Sequence, residues 1–221
     1  MNIEACIFDL DGVIVDTAKY HFIAWRNIAA ELGFEFTEIE NERLKGISRM
    51  RSLEILLEIG NIELDDETKE LLAEKKNHSY LQYVLNMRPD EILPGAREFI
   101  EGCRSLKIKT ALGSASKNAM TILEKLQITE LFDAVIDGTK ITKAKPDPEI
   151  FLKGAQAIKI HPHNCVVFED AEAGIEAAIA AEMRCVGIGN PVNLGHANVV
   201  IPGFKNFTVK QFIGLLEHPE P

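Results

Sequence analysis

Asp9 and Asp11 close an apolar run, Cys6-Ile7-Phe8-Asp9-Leu10-Asp11-Gly12-Val13. Residues two apart on a strand share a face, so the run predicts two carboxylates side by side at a strand end. A divalent cation or shared proton chemistry is the usual reason to tolerate such a pair. Asp-Gly between apolar runs is also a hairpin-turn signal, so the pair alone leaves both readings open. Three further polar clusters follow: Gly113-Ser114-Ala115-Ser116-Lys117-Asn118, Lys143-Ala144-Lys145-Pro146-Asp147-Pro148 and Glu169-Asp170. Each has a plain alternative. Ser116 suits a helix N-cap, Lys145 a solvated surface, and Glu169-Asp170 the positive end of a helix. Together they place four carboxylates, a serine and a lysine at successive strand ends, a cation site beside an anion site.

That grouping needs elements to carry it. Strand-like runs occur at Ile108–Leu112, Ala134–Ile136, Cys165–Phe168, Cys185–Ile188 and Val199–Ile201, with helical stretches at Lys117–Leu126, Pro148–Ile158 and Ala171–Met183 between the first four. Short apolar strands alternating with helices predict an α/β fold with a parallel sheet covered on both faces. Ligands bind such sheets outside the carboxyl ends of the strands. The first 88 residues hold none of the nine prolines and four of the 15 glycines. There, helices are expected after Thr17 (with Tyr20, Ile23, Ile28 and Leu32 on one side), from Ser48 to Gly60, and from Asp65 toward Asn86, where Arg88-Pro89-Asp90 breaks the pattern. The expected organisation is an α/β core of residues 1–16 and 90–221, with a helical insert at 17–89.

The chain has 221 residues and a formal charge of −10. That length can bury a substantial core, and the charge argues against nucleic acid or an anionic membrane as partner. No apolar run reaches the roughly 20 residues of a membrane span, and the N-terminus has no basic-then-apolar signal pattern. Cys6, Cys103, Cys165 and Cys185 form no C-x-x-C pair and read as buried free thiols. A cytoplasmic location is the expectation.

In order, Asp9-x-Asp11, Ser114, Lys145-Pro146 and Glu169-Asp170 match the four motifs of the haloacid dehalogenase (HAD) superfamily, which this chain resembles over its whole length. The resemblance implies a Rossmann-like core and an inserted α-helical cap. It also implies one Mg²⁺, held by Asp9, the backbone carbonyl of Asp11, Glu169 and Asp170. Asp9 is the implied nucleophile, forming an aspartyl-phosphate, and Asp11 the general acid/base. Ser114 and Lys145 are implied to hold the transferring phosphoryl oxygens.

A finer resemblance lies in Thr17-Ala18-Lys19-Tyr20-His21-Phe22-Ile23-Ala24-Trp25, Leu44-Lys45-Gly46-Ile47-Ser48-Arg49, Lys76-Asn77 and Ser114 to Asn118. It is to family members that move phosphate between C1 and C6 of glucose. It implies β-D-glucose 1-phosphate and glucose 6-phosphate as substrates and glucose 1,6-bisphosphate as activator and intermediate. Such a mutase needs a second anion site. Arg49 suits it by its bidentate geometry, with Ser116, Lys117 and Asn118 from the core side. Lys45, Lys76 and His21 complete the cap side, and the resemblance implies that His21 orders Asp11. Thr17, Gly46, Ser52 and Ala115 join the same substrate site. The alternatives for these residues are solvated cations and a packed histidine between Tyr20 and Phe22. Whether Lys75 or Lys76 faces the cleft is a matter of helix register, and Arg51 falls on another helix face. Residues Asn190–Ala197 offer no residue that can be placed in the site. A sugar-phosphate phosphatase of the same family is the alternative activity. Family members with this cap are often monomers, so a monomer is expected.

Overall fold

A computed structural model describes residues 3–44 and 46–217. Six strands form one parallel sheet: β1 (Ala5–Phe8), β2 (Lys109–Gly113), β3 (Ala134–Ile136), β4 (Cys165–Glu169), β5 (Arg184–Ile188) and β6 (Val199–Ile201). Their order is β3-β2-β1-β4-β5-β6, that of a doubly wound α/β sheet. The chain reverses direction of travel at β1 and β4, the switch point where such sheets open a crevice. Register is continuous across it: Ile7 faces Ala111 on β2 and Val167 on β4.

Strand alternation builds the two faces. Cys6 and Phe8 join Leu112, Val166 and Phe168 in one buried cluster; Ala5 and Ile7 join Ala111, Cys165 and Val167 in another. Phe8 stacks on Phe168 with ring centroids 4.8 Å apart. Helices α5 (Ala96–Ser105), α6 (Ala119–Leu126) and α9 (Val209–Glu217) cover the first face, α7 (Glu149–Ile158) and α8 (Glu172–Ala180) the second.

Between β1 and β2 the chain forms α1 (Ala18–Glu31), α2 (Glu38–Asn41), α3 (Arg49–Gly60) and α4 (Asp66–Leu85). Ser48 and Asp65 cap α3 and α4 by accepting from the backbone N–H three residues on, as their side-chain chemistry favours. A separate apolar cluster holds these helices together: Trp25, Ile28 and Ala29 of α1, Leu53, Leu56 and Leu57 of α3, and Ala73 of α4. Tyr80 and Val84 of α4 instead pack into the sheet's first cluster, which seats the helical layer on the core. The buried face of α1 is Ala24, Trp25, Ile28 and Ala29, a correction to the expected stripe, of which only Ile28 is buried and Tyr20, Ile23 and Leu32 are partly so. Helices α2, α5 and α9 are not among the elements expected from sequence. Helix α2 is a single turn held by a capping box between Thr37 and Glu40, too short for a periodic signal. Among the described residues no helix is long and apolar enough to cross a membrane. All four cysteines are free and buried.

Candidate active site

A cavity of about 620 Å³ lies between the helical layer and the carboxyl ends of the strands. Asp9, Asp11 and Asp170 line one part of it. Strand β1 stops at Phe8, so both Asp9 and Asp11 lie just beyond the strand rather than on it. Asp9 N–H still donates to Phe168 O at 2.9 Å and extends the ladder by one rung. Gly12 then turns the chain, with φ +76° and its N–H on Val15 O at 2.8 Å. The turn and the carboxylate pair are therefore both present. A Cβ on Gly12 would stand 2.0 Å from Asp170 Oδ2, so glycine serves both the turn and the close approach of β1 to β4.

Asp9, Glu169 and Asp170 each offer one carboxylate oxygen, all within 4.8 Å of one another. An all-oxygen, carboxylate-rich set fits a hard divalent cation such as Mg²⁺. Lys145 sits behind them, 3 % exposed, with Nζ 2.5 Å from Asp9 Oδ1 and 2.8 Å from Glu169 Oε2. Burial opposes its charge, but the Asp9 and Glu169 carboxylates outweigh burial and lift Lys145 above the usual lysine range. Glu169 is fully buried. Burial first, and the neighbouring Asp9 charge second, push its carboxyl up to about 7. Its Oε1 accepts from Ala171 N–H at 3.2 Å. Ser114, also fully buried, accepts from Ser116 N–H at 3.1 Å.

Asp11 faces a different set of partners. Thr17 Oγ1 donates to Asp11 Oδ1, which explains why Thr17 stands at the N-cap of α1 without capping it. Burial, then the Asp9 charge, raise the Asp11 carboxyl to about 7, a value suited to giving and taking a proton near neutrality. Above it, Lys76 Nζ lies 2.7 Å from His21 Nδ1 and over the rings of Trp25 and Tyr80, at 4.7 and 4.9 Å. His21 stacks on Tyr80 at 4.2 Å. Burial, and then the Lys76 charge, hold His21 well below the usual imidazole range. Lys76 is only 2 % exposed; burial first and Arg49 second bring it down to about 7.

The register question resolves for Lys76. Lys75 points outward and pairs with Glu31 at 2.5 Å. Arg49, at the start of α3, lines the cavity and is half-buried, whereas Arg51 is exposed and pairs with Glu54 and Glu58 at 2.9 and 3.3 Å. Gly46, Ser52, Ala115, Ser116, Lys117 and Asn118 also line the cavity. Thr17, Ser114, Lys145 and Glu169 do not; they are buried behind it. Lys45 lies outside the described residues. Asn41, Asn77 and Tyr80 line the cavity as well; their sequence context assigns them no role, and Asn77 carries a signal only as part of the Lys76-Asn77 dipeptide. Asn190, Asn193 and Leu194 line a second cavity of about 430 Å³, which shares Gly12 and Asp170 with the first.

The profile of the haloacid dehalogenase-like hydrolases matches residues 3–182. Beta-phosphoglucomutase of Bacillus subtilis is 41% identical over 209 residues, 94% of this chain and 92% of that protein. The phosphorylated carbohydrates phosphatase of Thermotoga maritima is 34% identical over 197 residues, 88% of this chain and 89% of its own. Among solved structures, beta-phosphoglucomutase from Clostridium difficile superposes with a TM-score of 0.92 at 43% identity, covering 96% of both chains. With its doubly wound sheet, its acidic cluster at the switch point and these matches along almost its full length, the chain belongs to the haloacid dehalogenase-like hydrolase family.

Proposed function

We propose that this protein is a β-phosphoglucomutase, interconverting β-D-glucose 1-phosphate and glucose 6-phosphate through β-glucose 1,6-bisphosphate. The observation that carries the reading is one cavity furnished for two anions. Asp9, Asp11 and Asp170 line one part, with Lys145 buried behind Asp9, and Arg49, Ser116, Lys117 and Asn118 line its wall elsewhere. A phosphatase needs only the first group; an enzyme that binds a bisphosphate either way round needs both.

Asp9, Glu169, Asp170 and the backbone carbonyl of Asp11 would hold Mg²⁺, which when bound neutralises phosphate charge so that a carboxylate can approach. Asp9 attacks phosphorus in line; its oxygen gains the P–O bond as the sugar oxygen loses it. Asp11 gives that leaving oxygen a proton, and takes one from the accepting sugar hydroxyl in the reverse transfer. Lys145 and Ser114 steady the transferring phosphoryl oxygens. Arg49, with Ser116, Lys117 and Asn118, holds the phosphate that is not reacting. Lys76, His21, Gly46, Ser52 and Ala115 face the sugar or order the groups that do, and Lys45 belongs to the same substrate-binding set by resemblance. Residues 17–89 act as a cap that keeps water from the aspartyl-phosphate. The cavity is complete within one chain, which supports a monomer, and the buried free thiols suit the cytoplasm. The acidic balance and the sugar-sized cavity speak for small sugar phosphates rather than nucleic acid or membrane.

Incubation with β-glucose 1-phosphate, Mg²⁺ and a trace of glucose 1,6-bisphosphate tests the reading. Glucose 6-phosphate is the expected product, with the α-anomer inert. Inorganic phosphate without glucose 6-phosphate would establish the phosphatase instead.

A further inference from the structure

One side-chain hydrogen bond spans the cavity at the second anion-binding group. Asn118 Nδ2 donates to Asn77 Oδ1 at 2.9 Å. Asn77 belongs to α4 and Asn118 to the loop that opens α6, 41 residues apart in sequence. Asn118 occupies the N-cap of α6, where its side chain would ordinarily accept from the helix backbone. Here it makes no capping bond; the amide is committed across the cleft instead. The Asn118 backbone is braced independently, its N–H donating to Ser116 Oγ at 3.2 Å.

A carboxamide has two unlike ends. Only its nitrogen end attracts a phosphate, because the carbonyl oxygen repels an anion. Asn77 Oδ1 accepts one of the two N–H groups on Asn118 and so keeps the nitrogen end in the cleft, with the other N–H available to a phosphate oxygen. The next residue back, Lys76, bonds His21 at 2.7 Å beside Asp11. Successive residues of α4 thus reach the proton-transfer group and the distal anion group.

We infer that Asn77 is a positioning residue: it fixes the Asn118 amide for the non-reacting phosphate and thereby ties the helical layer to the core loop when that phosphate is held. The inference rests on the mutase reading and adds to it a residue that touches the phosphate site only through another.

Steady-state kinetics of Asn77→Ala, Asn118→Ala and the double variant, on β-glucose 1-phosphate and on acetyl phosphate, provide the test. Acetyl phosphate has no second phosphate, so it reports Asp9 chemistry alone. For Asn77→Ala the KM for β-glucose 1-phosphate should rise about tenfold, the size of one hydrogen bond to a charged site. Turnover of acetyl phosphate should stay within about twofold of wild type. In the Asn118→Ala background, removing Asn77 should add less than about twofold, because the bond is already gone. Equal losses on both substrates, an unchanged KM, or fully multiplicative effects in the double variant each overturn the inference while the wild type still makes glucose 6-phosphate. If the wild type itself makes none, the mutase reading fails and this inference fails with it.

Discussion

Lys76 Nζ lies 2.7 Å from His21 Nδ1, and at that separation only one of the two can carry a positive charge. The ammonium donates and the neutral ring nitrogen accepts, which is consistent with an imidazole held well below its usual range. The pair delivers one cation above Asp11, and Asp11 in turn helps to keep Lys76 charged.

That cation is costly. In an unfolded chain Lys76 titrates near about 10.4, whereas in the fold burial and Arg49 bring it to about 7. Between these values the unfolded chain binds more protons, so stability rises with pH, and the full penalty applies below the folded value. Lys76→Met should therefore be more stable than wild type near pH 6, by roughly 2–4 kcal/mol less what is lost over the Trp25 and Tyr80 rings. Urea unfolding should show the gap closing toward about pH 10. A gap independent of pH contradicts the assignment.

Asp11→Asn separates proton transfer from metal binding. Its side chain bonds Thr17 and stands outside the Asp9, Glu169 and Asp170 set. Turnover should fall about 10²–10⁴-fold, with Mg²⁺ affinity, by calorimetry, within about threefold of wild type. Asp170→Ala should lose at least about tenfold in affinity. Matching losses in the two variants would place the Asp11 side chain on the metal.

Lys145→Met leaves the Asp9 and Glu169 carboxylates facing each other with no cation between them. Removing one member of a buried ionic group costs about 3–5 kcal/mol, and thermal unfolding should show it. Saturating Mg²⁺ should raise the melting temperature of this variant more than that of wild type, since the ion replaces part of the missing charge. An equal rise in both would mean that Lys145 does not neutralise the acidic cluster.

Gly12→Ala meets Asp170 directly. The added Cβ would stand 2.0 Å from Asp170 Oδ2, on backbone at φ +76°. Expected are a loss of about 1–3 kcal/mol in stability and Mg²⁺ affinity weakened by about tenfold or more as Asp170 is displaced. Unaltered Mg²⁺ affinity in a folded variant would show that Asp170 can yield without consequence.

Much of this was legible in sequence because the signals were local. Five later strands and the helices after Thr17, Ser48 and Asp65 each carry apolar runs, caps or breakers within their own residues. Asp9, Ser114 and Glu169-Asp170 fall at or just past the ends of β1, β2 and β4 for the same reason, whereas Lys145, expected at a strand end, lies well beyond β3 in the loop that leads into α7. Non-local facts were not legible. That Thr17 turns its hydroxyl away from α1 to Asp11, and that Asn118 leaves its cap to meet Asn77, depends on partners 6 and 41 residues away. Ser114, Lys145 and Glu169 read as cleft residues, yet they are packed behind the cavity wall. Their burial is set by how β1, β2 and β4 lie side by side, which no single segment encodes.

The four buried thiols also make the protein convenient to label. Alkylating and maleimide reagents require an accessible thiolate, and Cys6, Cys103, Cys165 and Cys185 are all buried; burial first, and the nearby Glu4 charge second, push Cys165 up to about 12. A cysteine introduced at Ile39 on the helical layer and another at Val192 on the core, both 84% exposed, would react first without removal of any native cysteine. A fluorophore or spin-label pair at those sites could then follow the separation of the two layers, ligand by ligand, in the otherwise unaltered chain.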